Sequence, residues 1–369
     1  MTRYEDPTEI VLERSLNNQA TNAPGDDFLL DRVQHRIKSR RNAKAVAAGV
    51  IAAGATVAVI LGVTATLNDP APPVATNDPT PNIATTGPTQ PPATTAEKGW
   101  RWESYGPIEV QVPADWGYGG GVGYPPCLIT TPQKPQVARP GPVPAIACGP
   151  GPIKLPFRAD SLTFDAFDRK AGVQQIDHGW VEETRVVAGM KITVFTKDAV
   201  LRERILSSAR PISGTDQHGC AADHAFVANP SLRPAAGSGL ASVGAVESIS
   251  ICRYKLDLED TVNTHPLRSS AKYTGERAAT LIATIIASPT GTGPNGFGTC
   301  VDPYGSEMVS MAVRGSTGTQ EVFLRFSGCD HNSFDDGRTL WKLTKQNLRP
   351  ALAEPNKPNQ GNAAMLLLN

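Results

Sequence analysis

Residues 45–67 read AVAAGVIAAGATVAVILGVTATL, an apolar run of 23 residues without a single charge. As a helix rising about 1.5 Å per residue it spans roughly 34 Å, which covers a hydrocarbon core of about 30 Å with some tilt. The run predicts a single-pass membrane anchor. Arg32, Arg36, Lys38, Arg40, Arg41 and Lys44 lie before it with no acid among them, and the next cation on the other side is Lys98. By the positive-inside rule the N-terminus is cytoplasmic and the rest of the chain extracytoplasmic. The competing reading is a cleavable signal peptide, for which Val63 and Ala65 are small enough to flank a cleavage site. Against it, the run exceeds the usual apolar core of about 7 to 15 residues, and a mostly polar stretch of 44 residues precedes it. Thr56, Thr64 and Thr66 inside the run can return their hydroxyls to preceding carbonyls. Ala45, Gly49 and Ala53 form a ridge of small residues along one side.

The chain of 369 residues carries 35 basic and 35 acidic side chains, so no net field attracts nucleic acid, and its one basic cluster is accounted for by the membrane. All six cysteines, Cys127, Cys148, Cys220, Cys252, Cys300 and Cys329, follow the apolar run. An even set confined to the oxidising side reads as disulfides, which agrees with the topology given by charge. The simplest pairing is sequential: Cys127 with Cys148, Cys220 with Cys252, and Cys300 with Cys329. With 34 glycines and 32 prolines, loops and turns occupy much of the chain.

Five segments follow from these breaks. Residues 1–44 form a cytoplasmic segment with a short amphipathic helix, on which Leu30, Val33 and Ile37 share a stripe among basic residues. Residues 45–67 are the anchor. Residues 68–98 hold eight prolines and seven threonines and no aromatic residue, a composition that predicts an extended, disordered stalk. Fully extended as polyproline helix at about 3.1 Å per residue, it reaches roughly 95 Å from the membrane. The folded part is expected as two modules, 99–212 and 213–369, of α+β class with helices packed on antiparallel sheets.

Within the first module Ile108, Val110 and Val112 alternate with Glu109 and Gln111, the pattern of a half-buried strand. Short strands are expected at 127–130 and 145–148. VEETRVV and KITVFTK flank Ala188 and Gly189 as a hairpin, and Asp198 caps the following helix, whose apolar side is Val200, Leu201, Ile205 and Leu206. In the second module SISICRYKLD is a strand, and GERAATLIATIIAS is a helix facing inward through Leu281, Ile282, Ile285 and Ile286. MVSMAVRG and EVFLRFSG form a hairpin. A last helix is expected over 337–348, with Asp335 as its N-cap.

Few motifs carry chemistry. HGCAADH places His218, Cys220, Asp223 and His224 within seven residues, a set of zinc-compatible donors, but an even disulfide count claims Cys220. No metal or other cofactor is expected. His331 is a candidate base that needs a nucleophile brought by folding, Ser250 or Ser327. GYGGGVG at 117–123 is not a phosphate loop, because Pro125 and Pro126 stand where a helix must start. Trp100, Trp102, Tyr105, Trp116, Tyr118 and Tyr124 either pack the first sheet or line a binding surface, and the nearby aliphatic residues favour packing.

The cytosolic piece ending in DRVQHRIKSRRNAK, the Ala/Gly/Val anchor, the Pro/Thr stalk and the cysteine-paired ectodomain together resemble single-pass envelope proteins of high-GC Gram-positive bacteria. Some proteins of that style are anti-sigma factors; the His-x-x-x-Cys-x-x-Cys zinc motif of many of those is absent from residues 1–44. The leading expectation is a membrane-anchored protein whose ectodomain binds an extracytoplasmic ligand or protein without catalysis. The alternatives are an envelope hydrolase using His331 or His218, and a regulator holding a cytoplasmic partner through residues 1–44.

Overall fold

Alternation of apolar and polar residues from Trp100 to Pro113 builds the first hairpin, β1 (Trp100–Tyr105) and β2 (Ile108–Pro113), turned at Gly106. The computed structural model describes residues 96–119, 124–141, 143–149, 151–165, 169–256, 265–296 and 300–358. The expected anchor at 45–67, the segment before it and the stalk up to residue 95 lie outside these. Among the described residues no helix is long and apolar enough to cross a membrane.

After the hairpin come β3 (Gly117–Tyr118), β4 (Gln136–Ala138) and β5 (Ser161–Phe164), then β6 (Gly172–Gln175), β7 (Val181–Val187) and β8 (Met190–Thr196). These six form one sheet in the order β3-β4-β5-β8-β7-β6. It is mixed: β3, β4 and β5 run parallel, which corrects the expectation of purely antiparallel sheets. Such short strands cannot show a period, and their pairing is set by long connections. The expected strands at 127–130 and 145–148 are absent. Pro125, Pro126 and Pro144 remove ladder donors there, and only a 3₁₀ turn forms at Pro126–Leu128.

The β7–β8 hairpin turns at Ala188 and Gly189, both at positive φ, as a two-residue hairpin turn requires. Helix α1 (Ala199–Ser208) follows, and Asp198 accepts from the amides of Val200 and Leu201. Ile205 and Leu206 are buried, whereas Val200 faces solvent, correcting its placement on the apolar side. β9 (Arg210–Pro211) then adds to β2. The hairpin, α1 and the mixed sheet enclose a core of Tyr105, Ile108, Val110, Val112, Trp116, Leu162, Phe164 and Ile192. Glu109, expected on the solvent face, is buried because Arg210 pairs with one of its oxygens and the amide of Gln217 with the other.

The third sheet is antiparallel. A short helix, α2 (Ala225–Ala228), lies in the excursion that leads to β10 (Val246–Lys255), and β11 (Leu267–Thr274) follows. Then come α3 (Gly275–Ile286), β12 (Glu307–Gly315), β13 (Gly318–Arg325), β14 (Ser333–Asp335), β15 (Leu340–Trp341) and α4 (Lys345–Ala351). The order is β11-β10-β12-β13-β14-β15. The expected helix at 337–348 is instead a strand and a later helix. Leu340 and Trp341 pair with Asp335 and Phe334, and Thr344 caps α4 in a capping box with Asn347. Ile249, Ile251, Val309, Met311, Val313, Val322 and Leu324 meet Leu281, Ile282, Ile285 and Leu348 of the helices in the main core. Ile286, expected inward, lies at the exposed edge of α3. The fold of the described residues is thus mixed α+β, with three sheets and few helices.

Candidate functional site

In the third sheet residues directly opposite one another share a face, so register sorts the side chains. One face is the apolar core. The other carries Ser250, Cys252 and Tyr254 of β10, Ser270 and Lys272 of β11, Ser310 and Ala312 of β12, and Glu321, Phe323 and Arg325 of β13. This polar face is covered in part by the excursion of residues 212–245. A disulfide from Cys220 to Cys252 pins it, and the Tyr254 hydroxyl donates to the carbonyl of Ala221 at 2.8 Å. Phe226 inserts edge-on against Tyr254 and Phe323. Farther along, Asp335 receives Arg233 through both oxygens and Arg325 through one, while Asp336 accepts the amide of Leu240. Asp335 is therefore a buried anchor within β14, correcting its expected role as a helix cap.

The HGCAADH residues do not converge on a common point. Cys220 is bonded to Cys252 and cannot ligate a metal in this state, and among the described residues no three of His, Cys, Asp and Glu form a metal cluster. His218 and His224 dock separately. The His224 ring lies 4.1 Å from Phe226, accepts the amide of Phe226 at Nδ1, and meets Glu321 Oε1 at 2.9 Å through Nε2. Burial works against charge on Glu321, but the bonds from His224 and Ser310 outweigh it and hold its carboxyl below the usual range. Burial pushes the Tyr254 phenol upward, with Asp216, Glu321 and Asp223 adding to the shift. Asp223 caps the amide of its neighbour His224.

His218 has a different setting. Asp216, 3% exposed, accepts the amides of His218 and Cys220 with Oδ1 and the Ser270 hydroxyl with Oδ2. Ser270 Oγ also lies 2.9 Å from His218 Nδ1. A hydroxyl has one proton, and an ionised carboxylate can only accept, so Ser270 donates to Asp216 and receives the proton of His218 Nδ1. The neutral ring is thus fixed with its lone pair on Nε2, and the side chain is half-exposed. Next to it Gly219 adopts φ +89°, and a Cβ there would lie 2.6 Å from Ser250 Oγ. Ser250 makes no side-chain hydrogen bond among the described residues, and Lys272, directly opposite it on β11, has no ion-pair partner among them. His218, Ser250 and Lys272 therefore form a contiguous patch offering an acceptor, a hydroxyl and a cation.

His331 lies elsewhere. It is exposed, stacks on Tyr304 at 5.2 Å, and its amide bonds to Asp330. Ser327, one proposed nucleophile, is occupied by both the carbonyl and the amide of Glu307. The structure joins His331 to neither Ser327 nor Ser250. The three disulfides follow the sequential pairing, with Cys127 bonded to Cys148 and Cys300 to Cys329. Of the aromatic group, Trp102, Tyr105 and Trp116 are buried, Tyr118 donates to Glu103, and Tyr124 is exposed. Asp216, Ser270 and Lys272 carried no local signal; the turn DQHG, ending in a left-handed glycine, is the nearest to one.

The chain matches no protein-family model, no curated protein and no solved structure.

Proposed function

We propose that the chain is a single-pass membrane protein with a cytoplasmic N-terminus, whose disulfide-stapled domain binds an extracytoplasmic ligand or partner. The apolar run with its basic flank, and the confinement of all six cysteines to the far side of it, support this topology. The binding surface is the patch of His218, Ser250 and Lys272 on the polar face of the third sheet. The observation that carries it is the contrast on that face between bonded and unbonded groups. Asp216, Ser270, His224, Glu321 and Ser310 are consumed by internal bonds, whereas the Ser250 hydroxyl, the Lys272 ammonium and the His218 Nε2 lone pair have no partner among the described residues. Isolated cell-wall polymer is the probe. Retention of the full chain on it, reduced tenfold or more by Ser250→Ala with Lys272→Met, supports the reading; no retention, or retention indifferent to both changes, refutes it.

A second reading has one observation in its favour. The Asp216–Ser270 chain orients His218 as a base, the arrangement a hydrolase uses to set an imidazole. Under that reading His218→Gln removes turnover of a wall-derived ester or amide, and a parent chain that turns over neither refutes it.

A further inference from the structure

Among the described residues the ends of the sheets are protected with one exception. β3, β9 and β15 are two-residue strands, β1 is buried along Trp102–Tyr105, and β11 is buried along Leu267–Ala271, where the Gly106 amide donates to the Leu267 carbonyl. β6 differs. All four of its residues are exposed, among the described residues it pairs only with β7, and Val173 is 58% exposed. The Ile176 amide donates inward to the Trp180 carbonyl, so Gly172 and Gln174 also bond toward β7. By the alternation of antiparallel ladders, Val173 and Gln175 turn their amides and carbonyls to the open side. The strand GVQQ contains none of the usual edge defences: it has no charge, no proline and no bulge.

We propose that β6 is a self-association edge, pairing antiparallel with β6 of a second copy of this chain about a two-fold axis at Val173. The charges that flank the strand favour this occupant. Asp168, Arg169 and Lys170 precede it, a flank of net positive charge, and Asp177 follows it. In an antiparallel pair the basic end of each strand meets the acidic end of the other, with Arg169 opposite Asp177, whereas a parallel pair sets like against like. Arg169 and Asp177 keep their internal partners, Glu182 and Arg158, and Lys170, which has no ion pair among the described residues, adds a free cation to that end. The axis also sets the two Val173 residues directly opposite. An edge of four residues is a weak interface alone. Tethering two copies to one membrane raises their effective concentration, although the pairing itself does not depend on the anchor.

Because all six native cysteines are bonded, an introduced cysteine is the single free thiol of the full chain. Val173→Cys in the purified full chain is expected to form a disulfide-linked dimer under mild oxidation, read on a non-reducing gel. Val186→Cys, similarly exposed at 53% but on β7, reports random collision. Gln175→Pro removes an outward amide without touching a β6–β7 bond, and in the Val173→Cys background it is expected to lower dimer yield at least tenfold. The idea is overturned if Val173→Cys cross-links no faster than Val186→Cys, or if Gln175→Pro leaves the yield unchanged while circular dichroism shows the native fold.

Discussion

The imidazole of His218 donates to Ser270 through Nδ1, whereas His224, six residues later, donates to Glu321 through Nε2. Two histidines of one excursion are thus held in opposite tautomers, each by the bonding capacity of its partner. Nitrogen-15 spectra of the neutral rings are expected to show His218 protonated at Nδ1 and His224 at Nε2. Asp216→Asn takes the carboxylate from under Ser270, and the expected result is a mixture of tautomers at His218 with His224 unchanged. Identical tautomers in the parent protein refute the assignment.

Asp335 is wholly buried and serves two arginines, Arg233 at 2.7 Å and Arg325 at 3.1 Å. Burial opposes its charge, but the bonds from Arg233 and the Gly337 amide hold its carboxyl below the ordinary range. Asp335→Asn leaves the Arg325 guanidinium buried without its counter-charge, at an expected cost of about 3 kcal/mol by urea denaturation. The folded pKa is depressed, so the stabilisation is complete above the unfolded value, near about 4, and is lost as pH falls through the folded one. The difference between parent and variant is therefore expected to shrink in acid.

Glu354 has the opposite sign. Although the residue stays largely exposed, desolvation by the protein packed around its carboxyl raises it above the usual range despite Lys357, Arg139 and Arg253 nearby, and Glu103 adds to the rise, so the effect is a small one. A carboxylate with a raised folded pKa weakens the fold once it ionises. Glu354→Gln is expected to raise Tm at pH 7, and the gain is expected to vanish below about pH 4, where both forms are neutral. A lower Tm for the variant at pH 7 contradicts the sign.

The Cys220–Cys252 and Cys127–Cys148 bonds span 32 and 21 residues. Chain entropy alone assigns each about 3 to 4 kcal/mol, with only a few tenths between them. Cys220 and Cys252 are buried in a small core with Phe226 and Tyr254, whereas Cys127 lies in an exposed loop. The paired change Cys220→Ala and Cys252→Ala is therefore expected to cost at least 1 kcal/mol more than Cys127→Ala with Cys148→Ala, about the value of a disturbed buried packing contact. Equal losses in guanidinium titrations indicate that packing around the bond contributes nothing.

What was legible in the sequence was local. The 181–196 hairpin announces itself by alternation around Ala188 and Gly189, and α1 by Asp198. α3 shows the period of an amphipathic helix, and nearest-neighbour cysteines proved to be partners. What was hidden depended on residues far away. Asp335 followed by Asp336 and Gly337 has the pattern of a helix start, yet Arg233, about a hundred positions earlier, makes it the centre of a buried ion pair. Glu109 sits at an outward position of its strand and is covered because Arg210 and Gln217 fold over it. The site depends on the same kind of distance, since Ser270 joins His218 to Asp216 from a strand more than fifty residues away.

Glu109 leaves a mark on how this protein can be altered. Its carboxylate belongs to the first sheet, while the amide it binds belongs to the excursion that covers the third. Cut the chain after Ile212, and one piece keeps an acid that has lost a donor while the other keeps an amide without its acceptor. The halves on either side of that point are therefore not interchangeable cassettes, and a recombination that swapped one for a foreign domain would have to replace this carboxylate as well.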